Sequence, residues 1–182
     1  MIHALNRYYH QIGRVIARHG GVIDNYMGDG ILAVFGLGEN SSHVVSAAIK
    51  AGLDMLDVVE RLKPYFEGIH SKSFEIGIGL HYGEVIVGSI GTESEKRRTI
   101  VGDAVNFASR IESANKNVGT NFLISEAAYF RAGDEVEVNK CPPWDIRGKT
   151  GQYHLYEIVR AKEANSRSDL ERHSSAALTS DL

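Results

Sequence analysis

Apolar residues recur at Ile2, Leu5, Tyr9, Ile12 and Val15–Ile16, a spacing of three and four that predicts an amphipathic helix over residues 2–18. No N-cap residue precedes the pattern, and Gly20-Gly21 ends it. Two β-prone runs follow, Val22 to Met27 and Ile31 to Leu37, separated by Gly28-Asp29-Gly30. Asp-Gly between such runs predicts a hairpin, because glycine supplies a positive φ without steric cost. A second helix is expected over about residues 43–63, with Val45, Ala48-Ile49, Leu56, Val59 and Leu62 on one stripe and Pro64 just beyond it. Phe74 to His81 and Glu84 to Ile90 alternate around Tyr82-Gly83 and predict a second hairpin. Gly91 to Arg98 is polar and charged, so it reads as a mobile loop. A third helix is expected from Asp103 to about Asn115, then a strand at Phe122 to Ser125, a short helix near 126–131, and two or three strands within 135–160. From Ala161 the chain is rich in serine and charge and lacks periodicity, which predicts a disordered tail over 161–182 after one domain over 1–160. The order of elements predicts an α+β fold with helices packed on an antiparallel-rich sheet.

Composition narrows the function. With 182 residues, 43% of them apolar, the chain supports one substantial core. A net charge of −3 gives nucleic acid or an anionic membrane no electrostatic hold as the main partner. No apolar run reaches the ~20 residues of a membrane span and no signal-peptide pattern is present, so a soluble, cytoplasmic domain is expected. The one cysteine, Cys141, allows no internal disulfide and sits in no thiol-nucleophile arrangement. The histidines, His81 among them, have no metal-ligand spacing.

Three segments carry candidate chemistry. In GGVIDNYMGDGILAVFG, residues 20–36, Asp29 lies at a tight turn with Gly28 and Gly30 on either side, where phosphate can approach the backbone closely. Mg²⁺ on nucleotide phosphates needs only one or two carboxylates beside phosphate oxygens and water. In TIVGDAVNFASRIESA, residues 99–114, Asn106 and Arg110 are four apart and share a helix face, suited to negative charge developing on phosphate. Arg147-Gly148-Lys149 is a basic glycine turn before the last strand. Taken singly, each is equally an ordinary feature: a hairpin turn, a solvated helix face, a surface basic turn.

Together, in order and spacing, they resemble the catalytic domain of class III adenylyl and guanylyl cyclases over about residues 5–160. GIGLHYGEVIVGSIG, residues 77–91, is similar to that family's following hairpin, and IRGKTGQYHLYEI to its C-terminal lysine turn and strand. The resemblance implies a ferredoxin-like (βαββαβ-type) fold and cyclisation of ATP, or less readily GTP, to a 3′,5′-cyclic monophosphate with two Mg²⁺ or Mn²⁺ ions. It implies that Asp29 is the second metal aspartate and that Asn106 and Arg110 orient ribose and stabilise the transition state. Lys149, with Arg147 the weaker match, would hold the terminal phosphates, and Asn25 and Thr99 would read the base. It further implies a head-to-tail homodimer with shared sites, and a sensor domain fused to the chain or supplied by a partner.

Two departures stand out. Asn25 matches neither the lysine usual in adenylyl cyclases nor the glutamate usual in guanylyl cyclases; its amide both donates and accepts, so it suits either purine, while Thr99 is of the adenylyl type. The segment resembling DIxGFT, with the first metal aspartate, is absent from these 182 residues. The resemblance therefore implies a domain lacking its first strand and the helix after it, with little activity alone. The alternative is a catalytically incomplete nucleotide-binding or dimerisation module. A GGDEF-type or polymerase-palm domain shares the two-metal logic, but the chain has no GGDEF-like hairpin and does have NFASR.

Overall fold

The computed structural model describes residues 2–37, 43–69, 74–145 and 152–162. Helix α1 (Ile2–Arg18) buries Ala4, Tyr8, Ile12, Val15 and Ile16, one stripe of its surface. Strands β1 (Gly21–Met27) and β2 (Gly30–Phe35) form the expected hairpin. Met27 pairs with Gly30, so the loop is Gly28-Asp29 alone. The positive φ, 65°, falls on Gly28 before the aspartate rather than on Gly30 after it. That is the geometry in which a two-residue turn follows strand twist with glycine first.

Helix α2 (Val44–Ile69) overruns its expected end, with Pro64 inside it. Proline there removes one intrahelical hydrogen bond. Packing beyond it compensates: Phe66 is buried and stacks on Phe74 at 4.4 Å, and the Arg7 guanidinium lies 4.4 Å from the Tyr65 ring centre. Its two halves serve two cores. Ala51, Val58, Val59, Leu62 and Phe66 join α1, while Val45 and Ile49 pack on a four-stranded sheet.

That sheet has the order β3-β6-β10-β7, from β3 (Ile78–Leu80), β6 (Phe122–Ser125), β7 (Val136–Lys140) and β10 (Leu155–Ala161). Strand β3 runs parallel to β6; the other pairs are antiparallel. Helix α3 (Asp103–Val118) lies over β3 and β6, and helix α4 (Glu126–Ala132) follows β6 directly, capped by the Ser125 hydroxyl accepting from Ala128 N–H. A two-stranded ribbon pairs β4 (Ile86–Gly91) with β5 (Lys96–Val101), and a small one pairs β8 (Trp144–Asp145) with β9 (Gln152–Tyr153). Cys141 is buried with Phe107, Ile111 and Leu155, and burial pushes its thiol pKa up.

Two expectations are corrected here. Tyr82-Gly83 does not turn a hairpin: β3 pairs with β6, and β4 with β5. Strand β3 is committed to the sheet because Gly79 lets it pass directly beneath α3, where a Cβ would lie 2.2 Å from Glu112 N. Residues 96–98, read as loop, belong to β5, so charge marks an exposed ribbon rather than a mobile segment. The expected tail, apart from Ala161 in β10 and Lys162, lies outside the described residues.

Strand β2 has only β1 as a partner among the described residues, and β3 only β6. Both border a cleft of ≈ 450 Å³ floored by α1 and α2 and flanked by α3.

Candidate active site

Asp29 is exposed at the turn at one end of this cleft, and Gly30 lines it as well. The turn is anchored from below. The Tyr9 hydroxyl of α1 donates to the Gly28 carbonyl, and its ring packs on Tyr26 at 4.6 Å between centres. Tyr8, on the buried face of the same helix, also lines the cleft. Burial, then the charges of Tyr9 and Asp29, push its phenol pKa up to about 12.

Asn106 on α3 lines the same cleft, so the structure brings it together with Asp29 and Gly30. Arg110, one turn on, does not line the cleft. Its Nη1 is buried and has no hydrogen-bond partner among the described residues. An unpaired buried guanidinium nitrogen is costly unless an anion completes it. Gly28 is near the cleft only through its neighbours, and Lys149 and Arg147 lie outside the described residues.

Asn25 and Thr99 lie apart from that cleft and are joined to each other's strands. Residue Asp24 is the extra residue of a β-bulge between Ile23 and Asn25. Its carboxylate leaves the β1–β2 ladder and reaches β5, accepting from Thr99 Oγ1 at 2.8 Å and from Ile100 N–H at 3.1 Å. Arg97 Nη2 donates back at 2.8 Å to both the Asp24 carbonyl and Asn25 Oδ1. Together Asp24 and Thr99 border a smaller hollow of ≈ 180 Å³.

Sequence reasoning did not single out Tyr9, Asp24 or Arg97, which hydrogen-bond to the candidate residues Gly28, Thr99 and Asn25. Tyr9 reads as one more apolar helix position. Asp24 carried a signal, a lone carboxylate in the β-prone run Val22 to Met27, which demands a partner. The bulge that aims it has no residue signature of its own.

Among the described residues no three His, Cys, Asp or Glu side chains come together as a metal site. Asp29 fits a divalent ion only as one ligand beside phosphate oxygens and water. No helix among the described residues is long and apolar enough to cross a membrane.

Comparison with known proteins bears on residues 1–159, which match the family described as the adenylate and guanylate cyclase catalytic domain. An adenylate cyclase of Anabaena cylindrica is 40% identical over 125 residues, 68% of this chain and 24% of that protein. The terminal-differentiation specific adenylate cyclase of Dictyostelium discoideum is 29% identical over 92% of this chain and 8% of its own length. The chain thus spans about a quarter or less of these curated relatives. Among solved structures, the guanylyl cyclase Cya2 superposes with a TM-score of 0.82 at 32% identity, covering 91% of this chain and 83% of that one. The adenylyl cyclase CyaB from P. aeruginosa gives 0.80 at 25% identity, covering 89% and 83%.

Proposed function

The chain belongs to the adenylate and guanylate cyclase catalytic domain family, and from that premise we propose that it contributes the active site that turns ATP into 3′,5′-cyclic AMP and pyrophosphate. The carrying observation is the unpartnered buried nitrogen of Arg110 one helical turn from Asn106, beside an Asp29 exposed on a turn that Tyr9 fixes. In this reading the ribose 3′ oxygen attacks the α-phosphorus and pyrophosphate leaves. A step of this kind is catalysed by positioning and by charge stabilisation.

The roles are those that membership of the family implies. Asp29, fixed by the Tyr9–Gly28 bond, would hold Mg²⁺ or Mn²⁺ together with the nucleotide's own oxygens. When bound, that ion supplies Lewis-acid neutralisation of the phosphates. Asn106 orients the ribose with a neutral amide. Arg110 places its guanidinium against charge that develops on the phosphate, worth on the order of 10²–10³ in rate. Lys149 holds the terminal phosphates. A second copy of the chain completes the assembly, which is supported by the exposed apolar residues Ile86, Val87, Ile90 and Val101 on β4 and β5.

The test is cyclic nucleotide formation from ATP with Mn²⁺, in this chain and in a longer one, for wild type, Asp29→Asn and Arg110→Ala. Turnover in the longer wild-type chain that both substitutions abolish, with little turnover in this chain alone, is the expected result. Turnover unaffected by either would overturn the assignment. A second reading, an incomplete module that binds nucleotide or dimerises without turnover, draws on the single carboxylate at the turn and the absence of a three-ligand cluster among the described residues. Nucleotide binding without metal-dependent turnover in both chains would favour it.

A further inference from the structure

Helix α1 carries Arg7, Arg14 and Arg18 with His3 and His10, and its sequence holds no aspartate or glutamate. The five recur at intervals of four, three, four and four, so at about 100° per residue they fall within an arc of about 80°. All five are exposed, on a side turned away from the buried stripe of Ala4, Tyr8, Ile12, Val15 and Ile16. At about 1.5 Å per residue the row is roughly 22 Å long. Nothing within the helix explains it. Arg18 suits the negative end of the helix dipole, but His3 lies at the opposite end and Arg7, His10 and Arg14 lie between. Like charges four residues apart, as in Arg14 and Arg18, weaken a helix. Helix α2 answers only part of the row: Asp54 lies 3.8 Å from Arg18, whose side chain is still 65% exposed, and Tyr65 sits under Arg7. Arg14 has no acidic partner among the described residues.

We propose that this row is a docking surface for an acidic helix of a partner protein, lying along α1 with its carboxylates at intervals of three and four residues. The row is one side chain wide and keeps the helix pitch, so a second helix alongside meets each cation in turn. Charge pairs between neighbouring helices set partner choice and orientation. All the formal charge in the row is arginine, whose planar fork grips a carboxylate with two hydrogen bonds. The charge balance disfavours an extended polyanion. The three arginines carry +3 within a formal total of −3, which leaves −6 on the rest of the chain. A bilayer or a nucleic acid duplex reaches past the row and meets that surplus, whereas a single helix covers the row and little else. None of the five residues lines the cleft, so the proposal stands apart from the cyclisation reading and survives or fails without it.

The probe is a fluorescein-labelled helical peptide with glutamates along one face of an alanine and glutamine background, titrated against the full chain by fluorescence anisotropy at low salt. It should bind about tenfold more tightly than a peptide of the same composition whose glutamates are scattered around the helix. Arg14→Glu should weaken it roughly fivefold to tenfold, with little change in thermal unfolding because the side chain is exposed. A peptide with one glutamate changed to lysine at the facing position should recover that loss, and the position that does so gives the orientation. Raising the salt to about 0.3 M should weaken binding throughout. Failure of the peptide to bind, equal binding of the scattered peptide, or no effect of Arg14→Glu would make the row a solvated face and overturn the proposal. Tighter binding to a DNA duplex or to phosphatidylserine vesicles than to the helical peptide would overturn the choice of partner.

Discussion

The hydroxyl of Tyr9 donates to the main-chain carbonyl of Gly28, tying the first helix to the turn that presents Asp29. The bond joins residues nineteen apart in sequence and makes the turn part of the helix's packing. Tyr9→Phe removes the donor and leaves the ring on Tyr26. Thermal unfolding should show a loss of about 1 kcal/mol, as for one net hydrogen bond. Mn²⁺-dependent nucleotide binding should weaken more than binding in EDTA. Equal weakening under both conditions would mean that the bond does not position Asp29.

Tyr8 gives the domain an alkaline limit. Its phenol is raised to about 12 in the folded state, against the ordinary value of 10.0 in the unfolded chain. The folded state therefore holds this proton more tightly. Its contribution is complete below about pH 10 and is lost as pH rises from there toward about 12. Denaturant melts between pH 9 and 12 should show that decline, and Tyr8→Phe should flatten it. An unchanged slope in the variant would assign the decline to other groups.

Gly79 and Gly88 should respond oppositely to alanine. At Gly79 a Cβ would meet Glu112 N at 2.2 Å and Ala108 O at 2.5 Å, both backbone atoms that cannot swing aside. Overpacking of this kind costs about 1–3 kcal/mol or more, and here it would force α3 off the sheet. At Gly88 nothing lies within 4 Å, so alanine should be neutral or slightly stabilising. Paired melting temperatures test this, and a tolerated Gly79→Ala would mean that α3 and β3 are less closely seated.

The shared site can be tested by mixing. In a longer, active chain, Asp29→Asn and Arg110→Ala should each be nearly inactive. If the two residues reach one nucleotide from opposite subunits, mixed dimers carry one intact and one doubly damaged site. Random pairing then restores roughly a quarter of wild-type activity. No recovery, with subunit exchange verified separately, would place both residues in one chain's site.

Open strand edges favour association. Strands β2 and β3 each leave one edge unpaired among the described residues, a template for pairing between chains. Light scattering of this chain should show mass increasing with concentration. A monodisperse monomer of high thermal stability would count against it.

How much of this was readable beforehand differs by element for physical reasons. The α1 stripe and the Gly28-Asp29 turn are local patterns, and both appear where expected. Helix α2 extends past Pro64 because Phe66 finds Phe74, a contact no local propensity encodes. The pairing of β3 with β6 rather than β4 rests on Gly79 passing under Glu112, thirty-three residues away, so alternation around Tyr82 misleads. At the site, Asp29 and Asn106 could be singled out by residue type and motif. The partners of Asn25 and Thr99 could not, since Arg97 and Asp24 meet only when a bulge turns Asp24 across to β5.

A strand that paired with the open edges of both β2 and β3 would dock bivalently. A segment that pairs with one edge carries its other side to the second, so the second ladder forms at an effective concentration set by geometry rather than by the solution. Register chosen on one side is then imposed on the other, and a slip of one residue would turn every side chain to the opposite face. Avidity and proofreading would come from the same slot.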